Sequence, residues 1–152
     1  MPETANGHSL FEVLVVDDDP GDVDLIREVF EEAQATLTLH VVHDGVEAMA
    51  YIKHQGSYGQ AMCPDLILLD LNMPKKDGRE VLYELKTSTI LKVIPVVVLT
   101  TSDSERDIER AYQLGANCFV TKPVGLEKFV GVVRCIADFW FTAARRPPRR
   151  VL

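Results

Sequence analysis

Short apolar runs alternate with amphipathic stretches along nearly the whole sequence, and this alternation limits the possible folds more than any other feature. Runs such as "LILL" and "VVVL" are apolar throughout and do not alternate with polar residues, so they predict strands that are buried on both faces. The stretches between the runs carry apolar residues at helical spacing. Strands that alternate with helices in this way predict β-α units arranged around one parallel sheet.

Five such units follow one another along the chain. The predicted strands are "FEVLVV", "LTLHVVH", "LILL", "IPVVVLT" and "NCFVT". The predicted helices are "PGDVDLIREVFEEA", "DGVEAMAYIKHQ", "GREVLYELKT", "SERDIERAYQLG" and "LEKFVGVVRCIADFWFTAA". A closed α/β barrel needs roughly 250 residues, whereas this chain has 152. The sequence therefore predicts an α/β protein with the flavodoxin-like fold, a doubly wound sheet of five parallel strands in a three-layer (βα)5 arrangement.

Local residues predict where several helices begin and end. Asp19 and Asp44 precede helices at positions where an aspartate side chain can cap the first free N–H groups. Pro20 fits the first helical turn because its missing N–H costs nothing there. Gly115 predicts the end of the fourth helix.

The composition favours one soluble domain, since 47% of the residues are hydrophobic and no apolar run approaches the roughly 20 residues that cross a bilayer. The beginning, "MPETANGHS", lacks the basic and apolar parts of a secretory leader. Cys63, Cys118 and Cys135 are odd in number and lack metal-ligand spacing, so we interpret them as reduced packing residues. Together these features predict a cytoplasmic protein without a membrane partner.

The charge distribution predicts an acidic body with a basic end. The net charge is −7 even though the tail sequence "RRPPRR" contributes four arginines. An acidic body argues against nucleic-acid binding, which requires clustered cations. We expect a flexible N-terminus over residues 1–9, one domain over 10–143, and a basic flexible tail over 144–152. The tail could instead contact an acidic partner.

Polar and charged residues follow the predicted strands. The first strand ends in "DDD" at 17–19, the third at Asp70, the fourth at Thr100 and the fifth at Lys122. Because parallel strands bring their carboxyl ends to the same edge of a sheet, we expect these side chains to lie together. Each has an ordinary alternative: Asp70 could open a turn, Thr100 could cap a helix, and Lys122 could extend along the surface.

Clustered carboxylates repel one another unless a cation neutralises them. Oxygen ligands with room for water suit Mg²⁺, which usually takes one or two carboxylates and completes its shell with solvent and phosphate. An aspartate can also act as a nucleophile toward phosphorus, while a lysine and a metal offset the charge on the transferring oxygens. The expected edge of the sheet therefore predicts magnesium-dependent phosphoryl chemistry.

The segments "VLVVDDDP", "LILLDLNMPKKDG", "IPVVVLTTS" and "CFVTKPV" resemble, in order and spacing, the receiver domain of two-component response regulators. The resemblance covers roughly residues 10–140. It implies that Asp70 accepts a phosphoryl group from a sensor histidine kinase or a histidine phosphotransfer protein. It also implies a signalling domain rather than an enzyme, with at most self-phosphorylation and self-dephosphorylation.

The same resemblance assigns the other site residues. It implies that Asp18 binds Mg²⁺ directly, that Asp17 does so through water or from just outside the ligand set, and that Asn72 supplies a backbone carbonyl. Thr100 and Lys122 match the hydroxyl and the lysine that hold the phosphoryl group. Pro123 matches a proline that usually follows a cis bond in the family.

Phe119 occupies the position of a switch aromatic that is often Tyr in the family. Phenylalanine can change rotamer but has no hydroxyl to donate, so the resemblance implies a switch through packing, or a residue that only packs. Phosphorylation would then bias the surface formed by the fourth helix, the fifth strand and the fifth helix. No further module follows in this sequence, so we expect the signal to leave through that surface.

The last predicted helix has more apolar residues than one packing face needs. An inward stripe is predicted from residues at helical spacing, namely Leu126, Phe129, Val133, Ile136 and Trp140. The apolar residues outside that stripe are Val130, Val132, Ala137, Phe139 and Phe141. We expect a homodimer through the fifth helix and strand, although the arginine tail could cover the same surface.

The ending "IADFWFT" and the long loop before "CPDLILLDLNMPKKDGREVL" resemble single-domain regulators that are paired with phytochrome histidine kinases. Two alternatives belong to other classes. A haloacid dehalogenase-like aspartyl phosphatase also uses a strand-end aspartate, but Asn72 stands where its general acid would be. A receiver-like binding module that works without phosphate is the second alternative.

Overall fold

The computed structural model describes residues 11–34 and 36–148. These residues form five strands: β1 (Phe11–Val16), β2 (Leu37–Val42), β3 (Leu66–Leu69), β4 (Val96–Thr100) and β5 (Cys118–Thr121). All neighbouring strands are parallel, in the order β2-β1-β3-β4-β5. This is the flavodoxin-like order, so the predicted fold is confirmed. The predicted N-terminus over 1–9 and the end of the predicted tail, 149–152, lie outside the described residues.

The helices connect successive strands. They are α1 (Pro20–Ala33), α2 (Gly45–Ile52), α3 (Gly78–Thr87), α4 (Glu105–Gln113) and α5 (Leu126–Asp138), with 3₁₀ turns at Gly56–Tyr58 and Leu91–Val93. The second helix is shorter than predicted and ends at Ile52 rather than at Gln55. Across 11–34 and 36–148, no helix has both the length and the apolar character that crossing a membrane requires.

The predicted helix boundaries rest on specific hydrogen bonds. The Asp19 carboxylate accepts from the N–H groups of Gly21 and Asp22, and Asp44 caps α2 in the same way. Gly115 follows α4 with φ +107°, a conformation that glycine adopts without a Cβ penalty. The predicted caps and helix end are therefore present.

Two apolar cores lie on opposite faces of the sheet. Phe30 of α1 and Val133 of α5 pack with Leu68 on one face. Ile52 and Leu82, from α2 and α3, pack on the other face. Burying one such side chain contributes about 1.5–3 kcal/mol, which explains why the strands are apolar on both sides. The two layers of helices around the sheet complete the three-layer architecture.

The last helix departs from its predicted course. The α-helix ends at Asp138, and Phe139–Ala143 continue as a π-helical turn in which Ala144 N–H donates to the Phe139 carbonyl at 2.8 Å. This wider turn changes the angular phase of the residues that follow. Phe141, which was predicted to lie outside the inward stripe, therefore packs edge-on against Phe11 and Phe30, with ring centroids 4.5 and 5.3 Å away.

The inward stripe of α5 is partly different from the prediction. Phe129, Val133 and Ile136 are buried as predicted, and Trp140 is half-buried. Ala137, predicted to lie outside the stripe, is fully buried, because it lies one helical turn after Val133 on the same face of α5. Leu126 is 64% exposed because it begins the helix beyond the edge of the apolar core, so its predicted burial is wrong.

The segment after α5 reaches the amino end of the sheet. Arg146 lies over the Phe11 ring, with its guanidinium carbon 4.2 Å from the centroid, and forms an ion pair with Asp65 at 3.3 Å. Coverage of the outer face of α5 by the tail, the alternative to a homodimer, stays a prediction.

Candidate functional site

The strand-end residues are held in place by the backbone of neighbouring strands. Asp70 N–H donates to the Val16 carbonyl at 2.9 Å, and Lys122 N–H donates to the Thr100 carbonyl at 2.6 Å. Asp17 N–H is bonded to β2 in the same way. The sheet therefore places residues that are distant in sequence at one common edge.

The Asp70 carboxylate is buried, with 7% of the residue exposed, and has a hydrogen-bond donor at each oxygen. Its Oδ1 accepts from the Thr100 hydroxyl at 2.8 Å and from the Asn72 N–H at 3.1 Å. Its Oδ2 lies 3.3 Å from Lys122 Nζ. Three of the predicted site residues thus contact Asp70 directly.

Gly78 allows helix α3 to pack directly beneath Asp70. A Cβ at this position would lie 2.2 Å from the Asp70 carbonyl oxygen, which is impossible without a backbone shift. Gly78 N–H also donates to the Leu71 carbonyl at 2.9 Å. This close approach explains why glycine follows Asp77, whose side chain caps α3.

Lys122 is the cation of the site and is buried. Its Nζ lies 2.8 Å from Asp17 Oδ2 and 2.8 Å from Asp22 Oδ2, in addition to the longer contact with Asp70. Burial would lower the pKa of Lys122, but the hydrogen bonds to Asp17 and Asp22 outweigh it and raise that pKa. Lys122 is therefore an ammonium ion at any physiological pH. The Lys122-Pro123 peptide bond is trans, unlike the bond that the resemblance implied.

Asp17 and Asp18, which directly follow β1, lie close to Asp70. One carboxylate oxygen from each of Asp17, Asp18 and Asp70 lies within 4.8 Å of the others. Burial raises the pKa of Asp17 in spite of its hydrogen bonds from Lys122 and the Asp19 N–H. Asp18 is exposed to solvent. Hard carboxylate oxygens with water access on one side fit a divalent cation such as Mg²⁺ or Mn²⁺.

Asp22 is a site residue that the sequence did not reveal. Its carboxylate reaches the Lys122 ammonium from the first turn of α1. An acid in the first turn of a helix is common because it interacts favourably with the helix dipole. The sequence therefore contained no signal that distinguished Asp22 from an ordinary helix-terminal acid.

A second group of contacts, also missed from the sequence, fixes the loop between β4 and α4. The Ser102 hydroxyl donates to Asp107 at 2.6 Å, and the Thr121 hydroxyl donates to the Ser102 carbonyl at 3.0 Å. Arg79 of α3 pairs with Asp107 at 3.0 Å. The hydrogen bond from Ser102 lowers the pKa of Asp107, with a further contribution from Arg79. This loop follows Thr100 directly, so it would respond to a movement of that residue.

Phe119 lies on β5, next to Val98 of β4, and is half-buried against the core formed by α2, α3 and α4. Its N–H donates to the Tyr112 hydroxyl at 3.1 Å. The backbone of Phe119 is thus tied to α4, and its side chain packs against the same core as Ala111 of that helix. Its role as a switch, like the metal contact of the Asn72 carbonyl, stays a prediction.

A parallel sheet of this order, with an aspartate, a threonine and a lysine at three strand ends and acids beside them, defines a class of signalling domain. The family model for the response regulator receiver domain matches residues 13–134. The chain belongs to this family, as its sequence segments had indicated.

Two particular regulators are most informative as relatives. Response regulator Rcp1 from Synechocystis sp. is 44% identical over 135 residues, which span 89% of this chain and 92% of that protein. The solved structure of the Mn²⁺-bound form of Rcp1 matches with a TM-score of 0.88 and covers 90% of this chain and 99% of that chain. The phosphorylated cyanobacterial phytochrome response regulator RcpA is 46% identical, with a TM-score of 0.87, over 92% of this chain and 99% of that chain.

Proposed function

We propose that this receiver domain serves a two-component phosphorelay by accepting a phosphoryl group on Asp70. The observation that carries this proposal is the position of the Asp70 carboxylate, which is buried between the Thr100 hydroxyl and the Lys122 ammonium. Both groups can donate to the new phosphoryl oxygens without a large rearrangement. Asp70 is therefore oriented as a nucleophile rather than as a solvated surface acid.

The proposed donor is a phosphohistidine of a sensor kinase or of a histidine phosphotransfer protein. A carboxylate oxygen of Asp70 attacks phosphorus, and a phosphorus–oxygen bond forms as the phosphorus–nitrogen bond breaks. The leaving imidazole takes up a proton. Lys122 offsets the negative charge on the transferring oxygens, and Thr100 donates a hydrogen bond to one of them.

Asp17, Asp18, Asp70 and the Asn72 carbonyl are the proposed ligand set for Mg²⁺. Bound there, the ion would polarise the phosphoryl oxygens and neutralise part of their charge. The Mn²⁺-bound structure of Rcp1 supports a divalent cation in a relative of this chain.

The proposed output begins at Thr100. Phosphorylation adds roughly −1.5 to −2 charges and new acceptor oxygens, which would draw the Thr100 hydroxyl away from Asp70. The following loop, held through Ser102, would shift with it and repack α4 against β5. Phe119 would follow by a change of rotamer, because its ring has no polar group that must stay bonded.

We propose that the donor is a phytochrome-type kinase and that the protein acts in the cytoplasm. The support is the phytochrome response regulator RcpA, which shares 46% of its residues with this chain. Cys118 and Cys135 are free thiols, which agrees with a reducing compartment. A kinase assay tests the pairing: phosphotransfer from an unrelated histidine kinase but not from a phytochrome kinase would remove this part of the proposal.

We further propose a homodimer through α5 and β5. Val124, Leu126 and Phe139 are 93, 64 and 54% exposed, so apolar surface remains at both ends of α5 after the domain is folded. Leu126→Asp should lower the dimer fraction in analytical ultracentrifugation. Ile90→Asp is the matched control, because Ile90 is similarly exposed on another part of the surface. Equal effects of the two substitutions would exclude this interface.

Incubation with Mg²⁺ and acetyl phosphate, followed by intact mass, tests the proposed function. We expect a base-labile adduct with the mass of one phosphoryl group, lost in Asp70→Asn and after metal chelation. Asp24→Asn is the matched control, because Asp24 is an exposed acid of α1. Multiple turnover of small phosphate esters without an adduct would instead favour an aspartyl phosphatase.

A further inference from the structure

The Lys122 ammonium has three N–H donors, and three carboxylates approach it. The contacts with Asp17 and Asp22 are both 2.8 Å, whereas the contact with the proposed phosphoacceptor Asp70 is 3.3 Å. The shorter hydrogen bonds are the stronger ones in charge-assisted pairs. In the unphosphorylated protein, Lys122 is therefore bound more tightly by Asp17 and Asp22 than by Asp70.

Local structure fixes the position of Asp22. The Asp22 N–H donates to the carboxylate of the capping residue Asp19 at 3.1 Å, and Pro20 stiffens the turn between them. The Asp22 side chain is 26% exposed, so it reaches the buried lysine from the solvent side. The helix dipole would stabilise an acid at this position without any contact to a lysine. The dipole therefore does not account for the contact between Asp22 and Lys122, which are 100 residues apart in sequence.

The charge of Asp22 should have different effects in the unphosphorylated and the phosphorylated protein. Before phosphorylation, its charge helps to keep Lys122 ionised and in place. After phosphorylation, a phosphoryl group with roughly −1.5 to −2 charges requires the same ammonium, and the negative charge of Asp22 opposes it. Asp22 lies outside the group of acids that would bind the metal, so its interaction is directed at the lysine.

We propose that Asp22 is a positioning residue that competes with the phosphoryl group for Lys122 and thereby lowers the stability of the phosphorylated state. This inference rests on the proposed function of Asp70 and Lys122. Its physical basis is that the Lys122 ammonium binds the Asp22 carboxylate at all times and must also bind the phosphoryl group while Asp70 is phosphorylated. The Asp22 carboxylate offsets part of the positive charge of the Lys122 ammonium and so weakens the attraction between Lys122 and the phosphoryl group.

Beryllofluoride, an anionic mimic of the phosphoryl group, provides the test at saturating Mg²⁺. Asp22→Asn should bind beryllofluoride on the order of five- to tenfold more tightly than wild type, because one screened negative charge is removed near the anion. Mg²⁺ alone should bind the same variant less tightly than wild type. Asp24→Asn makes the same chemical change at an exposed position of α1 and should change both affinities by less than about twofold.

A readout without metal or beryllofluoride accompanies the titrations. In the Mg²⁺-free protein, the ¹³Cε resonance of Lys122 should shift in Asp22→Asn and stay in place in Asp24→Asn. Weaker binding of both Mg²⁺ and beryllofluoride to Asp22→Asn would overturn the inference, since that result describes a residue that only supports the site. The inference would also be overturned if Asp22→Asn bound beryllofluoride with the same affinity as Asp24→Asn.

Asp70→Asn separates this inference from the function on which it rests. Beryllofluoride should not bind to Asp70→Asn. Binding that survives in that variant would overturn the proposed role of Asp70 itself. If Asp70→Asn fails to bind beryllofluoride and Asp22→Asn binds it no more tightly than wild type, only the competition at Lys122 is overturned.

Discussion

The two ends of the sheet each contain a buried carboxylate that faces a cation, but the charges are balanced differently. At the amino end, Asp65 pairs with Arg146 at 3.3 Å and accepts the Glu12 N–H at 2.8 Å. At the carboxyl end, Asp17, Asp22 and Asp70 all contact Lys122. Asp18 lies beside Asp17 and Asp70, with one carboxylate oxygen of each within 4.8 Å of the others.

Asp65 therefore has its charge balanced by the protein itself, whereas the acids at the carboxyl end are the proposed ligands of a cation. A buried acid with a cation and an N–H donor has its charge compensated within the protein. Several acids around one lysine repel one another, and the folded protein tolerates them at a cost in stability. We infer that removing an acid should have opposite effects on stability at the two ends.

The largest expected effect is at the amino end. Asp65→Ala removes the acceptor of the Glu12 N–H and the carboxylate that faces Arg146, at a side chain that is only 7% exposed. We expect the free energy of unfolding to fall by about 3 kcal/mol, measured by urea denaturation. Asp103→Ala, an exposed acid, is the control. A loss no larger than that of the control would contradict the structural role of Asp65.

Arg146→Gln tests the cation of the same pair and should have a smaller effect. Its side chain is 33% exposed, so solvent screens the ion pair, and much of the effect comes from its contact with Phe11. We expect a loss of about 1 kcal/mol in urea denaturation. The affinity for Mg²⁺ should stay unchanged, and a change in that affinity would show that the two ends are coupled.

Asp18→Asn tests the carboxyl end and should change stability in the opposite direction. In Mg²⁺-free buffer, relief of repulsion among the acids should raise the free energy of unfolding by about 0.5–1 kcal/mol. At high Mg²⁺ concentration the order should reverse, because wild type gains more from metal binding. Destabilisation of the metal-free variant would contradict the charge excess at this end.

Lys86 extends the comparison, since its ammonium at the amino end faces neutral oxygens. Its Nζ donates to the carbonyls of Lys92 and Ile94 at 2.9 and 2.8 Å and to Asn117 Oδ1 at 3.2 Å. Burial lowers its pKa from 10.5 to about 8. Between these values the unfolded chain binds more protons than the folded one, so this contribution to stability rises with pH.

The smallest expected effect is a change of the free energy of unfolding with pH. The stability of wild type relative to Lys86→Met, measured by urea denaturation, should increase from pH 8 to pH 10.5. Other titrating groups are common to both proteins and cancel in the difference. A relative stability that falls over this range would mean that the three oxygens hold the lysine in its charged form.

The sequence predicted the fold well because apolar periodicity is a local property. All five strands and the first, third and fourth helices lie close to their predicted positions, since each carries its own pattern and cap. The last helix shows the limit of this reasoning. A constant helical phase placed Phe141 outside the core, and the π-helical turn after Asp138 reversed that assignment.

The site was predictable where the topology alone determines position. Asp70, Thr100 and Lys122 end parallel strands, so one edge of the sheet had to collect them. Asp22 and the Arg146-Asp65 pair depend on side-chain directions between distant segments, which a local pattern does not encode. The sequence therefore revealed the residues around the proposed phosphoacceptor, Asp70, but not the acid, Asp22, that also contacts Lys122.

Trapping of the phosphorylated residue tests the central claim most directly. After incubation with Mg²⁺ and acetyl phosphate, borohydride reduces an aspartyl phosphate to homoserine, which peptide mass spectrometry can locate. We predict homoserine at position 70, and at no other aspartate, in a yield that depends on Mg²⁺. Homoserine at a different aspartate, or a phosphoryl group that resists reduction at position 70, would contradict the assignment of Asp70 as the phosphoacceptor.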